Sequence, residues 1–410
     1  MVVVKTRAGL PELPGKAPRG GPILSHDFVE AALIRRAGWS VRIADDIQGS
    51  YEACPSTLID LSMRDRRWCQ GNLQHIRILT AKGLHWVSRV HLLTGIFAFI
   101  SSPVWLLFIL TALALGVQNE FAKPEYFTHA YSLYPVWPHL DPVRALRLFM
   151  ISLSILLAPK VLGLINYAWS GRRLRASWWP LLLLSCPFEV VLSALLAPIM
   201  MLIHGGFVAS ILAGSDGGWR PQKRGDNELP WRQIAYRHRW HMVVGLGLAT
   251  SGLFISWEML AWVSPAAIGM VAAFPLSLIT GSPVIGHWSR RLGLLRTPEE
   301  IDPPPIYRKM EAAQVLYREA VEQAPDLVAI VADREKFGRH LAMTDRPPPR
   351  HKDPIAPLEA IADLKVRSAD CLEDAVTHQT SHERAYVQAA PDLLIQLSRL
   401  PRRLTHNPQK

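Results

Sequence analysis

The chain has 410 residues, a formal net charge of +11, and 49% hydrophobic residues, including 14 Trp. The apolar residues are concentrated: Val90 to Asn119 and Met259 to Ser289 contain no Asp, Glu, Lys or Arg. Runs longer than about 18 apolar residues read as transmembrane helices, which excludes an ordinary water-soluble globule. The excess of Lys and Arg then marks cytoplasmic loops beside anionic headgroups and not a nucleic-acid surface. Cys54, Cys69, Cys186 and Cys371 are scattered with no Cys-x-x-Cys pair, so neither a disulfide framework nor a zinc site is supported.

In chain order, residues 1–89 are mixed and fairly polar. The opening "MVVVKTRAGLPELPGK" has too short an apolar part for a signal peptide. Pro11, Pro14, Gly15, Pro18, Gly20, Gly21 and Pro22 predict a loop. Phe28 to Ala37 predicts a short helix that Asp27 can cap, with Glu30 three residues on and Gly38 as its stop. Trp39, Val41 and Ile43 alternate with Ser40 and Arg42, the pattern of a strand with one buried face. From about Ser56 to Leu79 the chain reads as a helix carrying a dense basic cluster.

Residues 90–288 read as a membrane region of about six crossings. His91–Val117 is the first span, and Leu148–Trp169, with Lys160 able to snorkel, is the second. Glu120, Glu125 and Asp141 lie between them, whereas "SGRRLRASWW" beyond is strongly basic and therefore cytoplasmic. Leu181–Leu212 has basic loops on both sides, the second carrying Arg220, Lys223, Arg224, Arg232, Arg237 and Arg239. Two cytoplasmic flanks require an even number of crossings. The expectation is a tight hairpin or re-entrant pair broken around Pro198 or Gly205-Gly206. Met242–Val263 then leaves, "SPAA" turns, and Ile268–Ile285 returns, which puts both chain ends in the cytoplasm. Residues 289–410 form a cytoplasmic tail, with linkers at "IDPPPI" and "DRPPPRHKDP" and helices over Lys309–Ala342 and Leu358–Leu397. No internal repeat, glycine-rich phosphate loop or nucleic-acid motif is present.

Two clusters carry chemistry. Ser25-His26-Asp27, taken alone, reads as a helix N-cap. "RDRRWCQGN", Arg64 to Asn72, taken alone, reads as a basic segment lying on headgroups with Trp68 at the interface. An acid at a helix mouth, about forty residues, a basic-x-x-Arg-Trp element and then a span resembles the processive membrane glycosyltransferases of family two. The pairing makes physical sense. Inverting sugar transfer needs a carboxylate to take the proton of the attacking acceptor hydroxyl. The departing nucleotide diphosphate needs cationic stabilisation, and a Trp face can stack the acceptor sugar.

The wording is closest to one branch of that group. "LPELPGK", "ILSHDFVEAALIRRAGW", "GSYE", "RDRRWCQGNL", "YPVWP" and "LLAPIMMLIH" resemble the membrane glucosyltransferases that build osmoregulated periplasmic glucans. The resemblance runs from about Gly9 through the membrane region and more weakly into the tail. It implies a UDP-glucose donor, Mg2+, a β-1,2-linked glucan product extruded to the periplasm, and a bacterial inner membrane. Other proteins of periplasmic glucan synthesis are possible partners under it. Carried over, Asp27 takes the place of the catalytic base with His26 beside it. Arg64, Arg67 and Trp68 fill the Gln-x-x-Arg-Trp positions, Arg64 standing where most synthases have Gln, and Arg66 is an extra phosphate contact. Glu189 lies inside the predicted hairpin and reads either as a glucan-channel residue or as a carboxyl bonded to a neighbouring helix. Glu258 falls near a periplasmic end.

The implied fold is a multispanning helical membrane protein with a partial α/β segment of the GT-A type at its N-terminus and a helical soluble tail. Roughly 24 residues precede Ser25, too few for the family's nucleotide-binding half, and no Asp-x-Asp metal motif is present. Asp45-Asp46 follows the base motif without that spacing. The chain is therefore expected to be the C-terminal portion of such an enzyme, without its donor site. An inactive fragment, or a non-catalytic channel or partner subunit of a glucan synthase, stays open as the alternative.

Overall fold

A computed structural model of the chain describes residues 12–44, 47, 49, 51–52, 54–121, 142–169, 179–216, 230–344 and 357–402. Asp45-Asp46, Glu125, Asp141, the basic loop before Trp179 and Arg220, Lys223 and Arg224 lie outside the described residues.

The first helix, α1 (His26–Arg36), starts earlier than its hydrophobic pattern suggests. Ser25, not Asp27, is its N-cap and makes no side-chain capping bond, so the expected capping box is not formed. Gly38 ends it as expected: at φ +89° its N–H reaches Arg35 O, and the Trp39 N–H reaches Ile34 O. α2 (Leu58–Ile78) is capped by Thr57, whose hydroxyl accepts the Asp60 N–H at 3.1 Å.

Between these helices the strand expectation fails. Residues 39–44 are irregular, and Trp39 and Ile43 are 72% and 92% exposed. A strand becomes stable only beside another strand, and the described residues offer a single isolated bridge, Leu13 with Gly21. The N-terminal segment is thus loop and helix among the described residues, and the partial α/β segment is not seen.

The apolar region contains α3 (Trp86–Phe121), α4 (Pro142–Trp169), α5 (Trp179–Leu212), α6 (Trp231–Ile255), α7 (Trp257–Val271) and α8 (Ala273–Thr280). Three of these, α3, α4 and α5, are long and apolar enough to cross a membrane. A fourth crossing arises if α7 and α8, bent by 56°, form one broken span. The turn expected at "SPAA" falls earlier. Ser256 is extended (φ −166°, ψ 164°) and caps α7 through the Met259 N–H, and Pro265 lies inside that helix.

Residues 181–212 do not form a hairpin. α5 is one helix of 34 residues, with Pro187, Pro198 and the Gly205-Gly206 pair inside it. Its second half follows α2: Ile199 clusters with Leu58, His204 meets Asp65, and Val208 and Ile211 pack with Cys69 and Leu73. A neighbouring helix of matching direction keeps residues 199–211 helical past two glycines that would be weak helix formers alone.

After α8 come α9 (Pro283–Arg291) and the short α10 (Pro298–Ile301). Residues 303–410 are a separate compact unit. It holds α11 (Pro305–Glu322), α12 (Leu327–Ala332), α13 (Arg334–Ala342), α14 (Pro357–Arg367), α15 (Leu372–Thr377), α16 (Ser381–Ala389) and α17 (Pro391–Ser398). Leu372, Val387, Leu393 and Leu394 centre its core. Thr380 and Glu383 form a capping box on α16, and the same Glu383 pairs with Lys365 at 2.8 Å.

Candidate active site

α2 is the organising element. Its sequence from Cys69 to His75 is buried without interruption, although Gln70, Asn72, Gln74 and His75 are polar. Buried polar groups generally take partners: Asn72 donates locally to Trp68 O at 2.9 Å, whereas Gln70, Gln74 and His75 reach segments distant in sequence. The Gln74 side chain accepts the Leu24 N–H at 3.1 Å and donates to Pro22 O at 3.2 Å, tying the N-terminal loop to the helix. Arg77 donates to Pro14 O at 2.6 Å. Gln70 donates to Asp216 at 2.8 Å, beyond the end of α5. His75 Nε2 meets Ser25 O at 3.1 Å. Burial pushes the His75 imidazole below its ordinary value against the opposing effect of that carbonyl, so the ring is a neutral donor at Nε2.

These bonds dock the Ser25-His26-Asp27 element onto Gly71. A Cβ at residue 71 would lie 2.5 Å from both Ser25 N and Ser25 Oγ, so only glycine admits the loop. Residues 64, 67, 68 and 71 stand at i, i+3, i+4 and i+7 and share one helix face. The Asp27 element therefore seats at the end of the stripe formed by Arg64, Arg67 and Trp68, about one helical turn, or 6 Å, beyond Arg67. Spacing alone suggested the two clusters belong together, and Gly71 is the residue that joins them.

The site residues sit as follows. Asp27 is on the first turn of α1 with its side chain 87% exposed. His26 Nδ1 lies 3.2 Å from Asp27 and 3.0 Å from Glu30, bridging an open carboxylate and a buried one. Phe28 packs on His75 and His91, and Val29 and Ala32 enter a core with Ile78, Leu84 and Leu92, which holds the helix mouth in place. The Arg64 guanidinium lies 5.0 Å from the half-exposed Trp68 ring and 3.4 Å from Asp65. Arg66 is not with them. It lies over Phe207 at 5.7 Å and reaches Ser215 at 3.3 Å, on the side where α2 meets α5. Glu189 takes a hydrogen bond from the Lys160 ammonium of α4 and another from Ser193 at 2.6 Å. Its carboxyl is thus bonded to a neighbouring helix, the second of its two readings, and these bonds leave the channel reading open. Glu258 sits in the first turn of α7.

Sequence reasoning missed Glu30 as the His26 partner and the buried Gln70-Gly71-x-x-Gln74-His75 run. It also missed the Asp65–His204 contact at 3.1 Å that pins the basic helix to α5. The run had a signal: four polar residues inside an otherwise continuous helix imply bonding partners. The contacts 50 to 146 residues away had none.

Burial also pushes the Cys69 thiol up to about 12, with Asp65 adding to the effect. A thiol held protonated and buried is unreactive. With Cys186 and Cys371 replaced by Ser, maleimide at neutral pH is expected to label exposed Cys54 and to spare Cys69 until the protein unfolds. A Cys69 adduct formed at the Cys54 rate would show that α2 is not packed on α5.

Among known proteins, glucans biosynthesis glucosyltransferase H of Shewanella sp. (strain ANA-3) is 52% identical over 402 residues, which is 96% of this chain and 54% of that protein. The protein of that name from Shewanella oneidensis is 52% identical over 396 residues, with the same coverage. That from Shewanella baltica (strain OS155) is 51% identical over 404 residues, 97% of this chain and 55% of the relative. By sequence, this chain is similar to the glucans biosynthesis glucosyltransferases. It spans about half the length of the curated relatives it matches. No family model matches it, and no solved structure does. The match to these glucosyltransferases takes in the docked Asp27 element, α2 and the apolar helices together, since it leaves only a few per cent of the chain outside.

Proposed function

We propose that this chain is the acceptor-side and membrane portion of a glucosyltransferase that moves glucose from UDP-glucose to a growing β-1,2-linked periplasmic glucan and extrudes the product. The observation that supports the reading is the contact of Ser25 with Gly71, about one turn along α2 from Arg67 and Trp68, with the exposed Asp27 two residues further along the chain. Asp27 takes the proton of the acceptor hydroxyl as that oxygen bonds to the anomeric carbon of the donor. The bond from that carbon to the diphosphate oxygen breaks, and the configuration inverts. His26, held by Glu30, orients the Asp27 carboxylate. Arg64 and Arg67 stabilise the charge on the leaving diphosphate, and the exposed face of Trp68 stacks the acceptor. Arg66 supports them by fixing α2 to Phe207 and Ser215.

The described residues of this chain do not suit Mg2+. Among the described residues no three His, Cys, Asp or Glu side chains converge, and no Asp-x-Asp occurs in the sequence. No step is routed through a metal here. The donor and its metal belong, on this reading, to the part of the relatives that lies outside the match. The protein resides in a bacterial inner membrane with both ends cytoplasmic, and glucan acceptor, membrane lipid and other glucan-synthesis proteins are its partners.

The test is radiolabelled UDP-glucose incorporation by membranes. Membranes with this chain alone are expected to make no glucan, and co-expression of a relative's remaining half is expected to restore synthesis. No synthesis in the combined membranes, with both pieces inserted, would favour a non-catalytic partner subunit instead. Robust synthesis by the chain alone would overturn the division of labour.

A further inference from the structure

α11 (Pro305–Glu322) is a helix of 18 residues, none of them buried among the described residues. Its apolar residues nevertheless fall on one side. Ile306, Met310, Ala313, Tyr317, Ala320 and Val321 follow the three- and four-residue spacing of a single helix face. Met310 is 50% exposed and Tyr317 70%. The buried core of the tail runs from Leu327 to Leu397 and takes nothing from α11. We propose that this face is covered by α11 of a second copy of this chain, the two helices lying antiparallel about a two-fold axis near residue 315.

The shape of the face selects that arrangement. With the axis near residue 315, Met310 stands level with the partner's Ala320, and Ala313 with the partner's Tyr317. The two-fold repeats both pairs, so each large side chain meets a methyl group and the layers fill without voids. A parallel pair would set Met310 on Met310 and Tyr317 on Tyr317, with gaps at the alanines between them. Small residues opposite large ones let the helix axes approach to the usual packing distance.

Charge selects it as well. Glu311 and Arg318 stand seven residues apart, two helical turns, on one flank of the apolar face. In an antiparallel pair that flank meets itself. Glu311 then lies opposite the partner's Arg318, and Arg318 opposite the partner's Glu311, which gives two opposite-charge pairs from one short sequence. A membrane surface fits the helix less well. Helices that lie on headgroups carry an excess of Lys and Arg, whereas Arg308, Lys309 and Arg318 of α11 are balanced by Glu311, Glu319 and Glu322. A two-fold contact of this kind uses the same patch on both copies and closes on itself as a dimer.

The test is the mass of the full chain in mild detergent, by light scattering over a range of concentrations, joined to crosslinking in native membranes. The parent is expected to be a dimer that dissociates on dilution. Met310→Glu with Tyr317→Glu should give monomers of unchanged helix content, since neither side chain is buried within the single chain. Glu311→Arg should weaken the dimer by about tenfold, because both symmetry-related pairs become repulsive. Adding Arg318→Glu to it should restore the parent's dissociation constant. With Cys54, Cys186 and Cys371 replaced by Ser, Gln314→Cys, beside the axis, should be joined to a second chain by a short bis-maleimide, and Glu322→Cys, on the polar face, should not. A parent that is monomeric throughout would overturn the proposal. A dimer indifferent to Met310→Glu with Tyr317→Glu would place the contact elsewhere and overturn it too. Failure of the double charge reversal to recover the dimer would rule out the antiparallel register. A Gln314→Cys thiol that a lipid-phase probe labels and no crosslinker joins would give the face to the membrane instead.

Discussion

Asp27→Asn, in membranes that also hold the remaining half of the enzyme, is expected to lower glucan synthesis by about 10²- to 10⁴-fold, the usual contribution of a general base. The side chain is 87% exposed and caps nothing, so the amide should leave stability within about 0.5 kcal/mol and insertion unchanged. Activity and folding are therefore separable at this position. The informative control is Glu30→Gln. Glu30 is buried and bonds His26 at 3.0 Å, so its amide should disturb the orientation of His26 and lower synthesis less than Asp27→Asn does. Full activity in Asp27→Asn with loss only in Glu30→Gln would transfer the role of base to Glu30. Full activity in both would remove the acid from the mechanism.

Gly71→Ala tests the seating on which the active-site reading depends. In an ordinary helix interior, alanine for glycine stabilises by up to about 1 kcal/mol. At residue 71 the new Cβ would meet the Ser25 backbone and hydroxyl at 2.5 Å, and overpacking of that kind costs about 1–3 kcal/mol. The collision is with backbone, which cannot rotate away as a long side chain can. Gly71→Ala is thus expected to destabilise by about 1–2 kcal/mol net, to expose residues 12–36 to limited proteolysis, and to lower synthesis. Gly206→Ala is the matched control, because nothing lies within 4 Å of its Cβ position and the helix-propensity gain should appear undiluted. If both alanines raised the melting temperature alike, the loop would not be seated on α2. Asp27 would then have no fixed relation to Arg67 and Trp68.

Some of this was legible in the residues. A membrane imposes continuous apolarity over a known length, so α3, α4 and α5 announce themselves as runs whatever they pack against. α2 was readable from about Ser56 to Leu79, a stretch with no proline, and Gly71 alone does not end it. The two motifs were readable because chemistry needs particular side chains in a particular order. The alternation at Trp39, Val41 and Ile43 shows the limit of local pattern, since a strand exists only when a neighbour accepts its backbone bonds. The continuity of α5 shows the opposite error. Glycines and prolines weaken a helix locally, yet packing along α2 carries it through.

The sequence by itself determined the apolar helices, the acid and basic motifs, and their order. Each is a property of composition or spacing along a short stretch. Tertiary structure decided that Ser25 rests on Gly71, that His26 is shared by Asp27 and Glu30, that Arg66 turns to Phe207 instead of Trp68, and that Lys160 engages Glu189. The physical reason is range. Hydrophobicity and helix signals act within a turn or two. Which buried polar group meets which partner depends on how distant segments pack, and such pairings leave almost no mark on either segment alone.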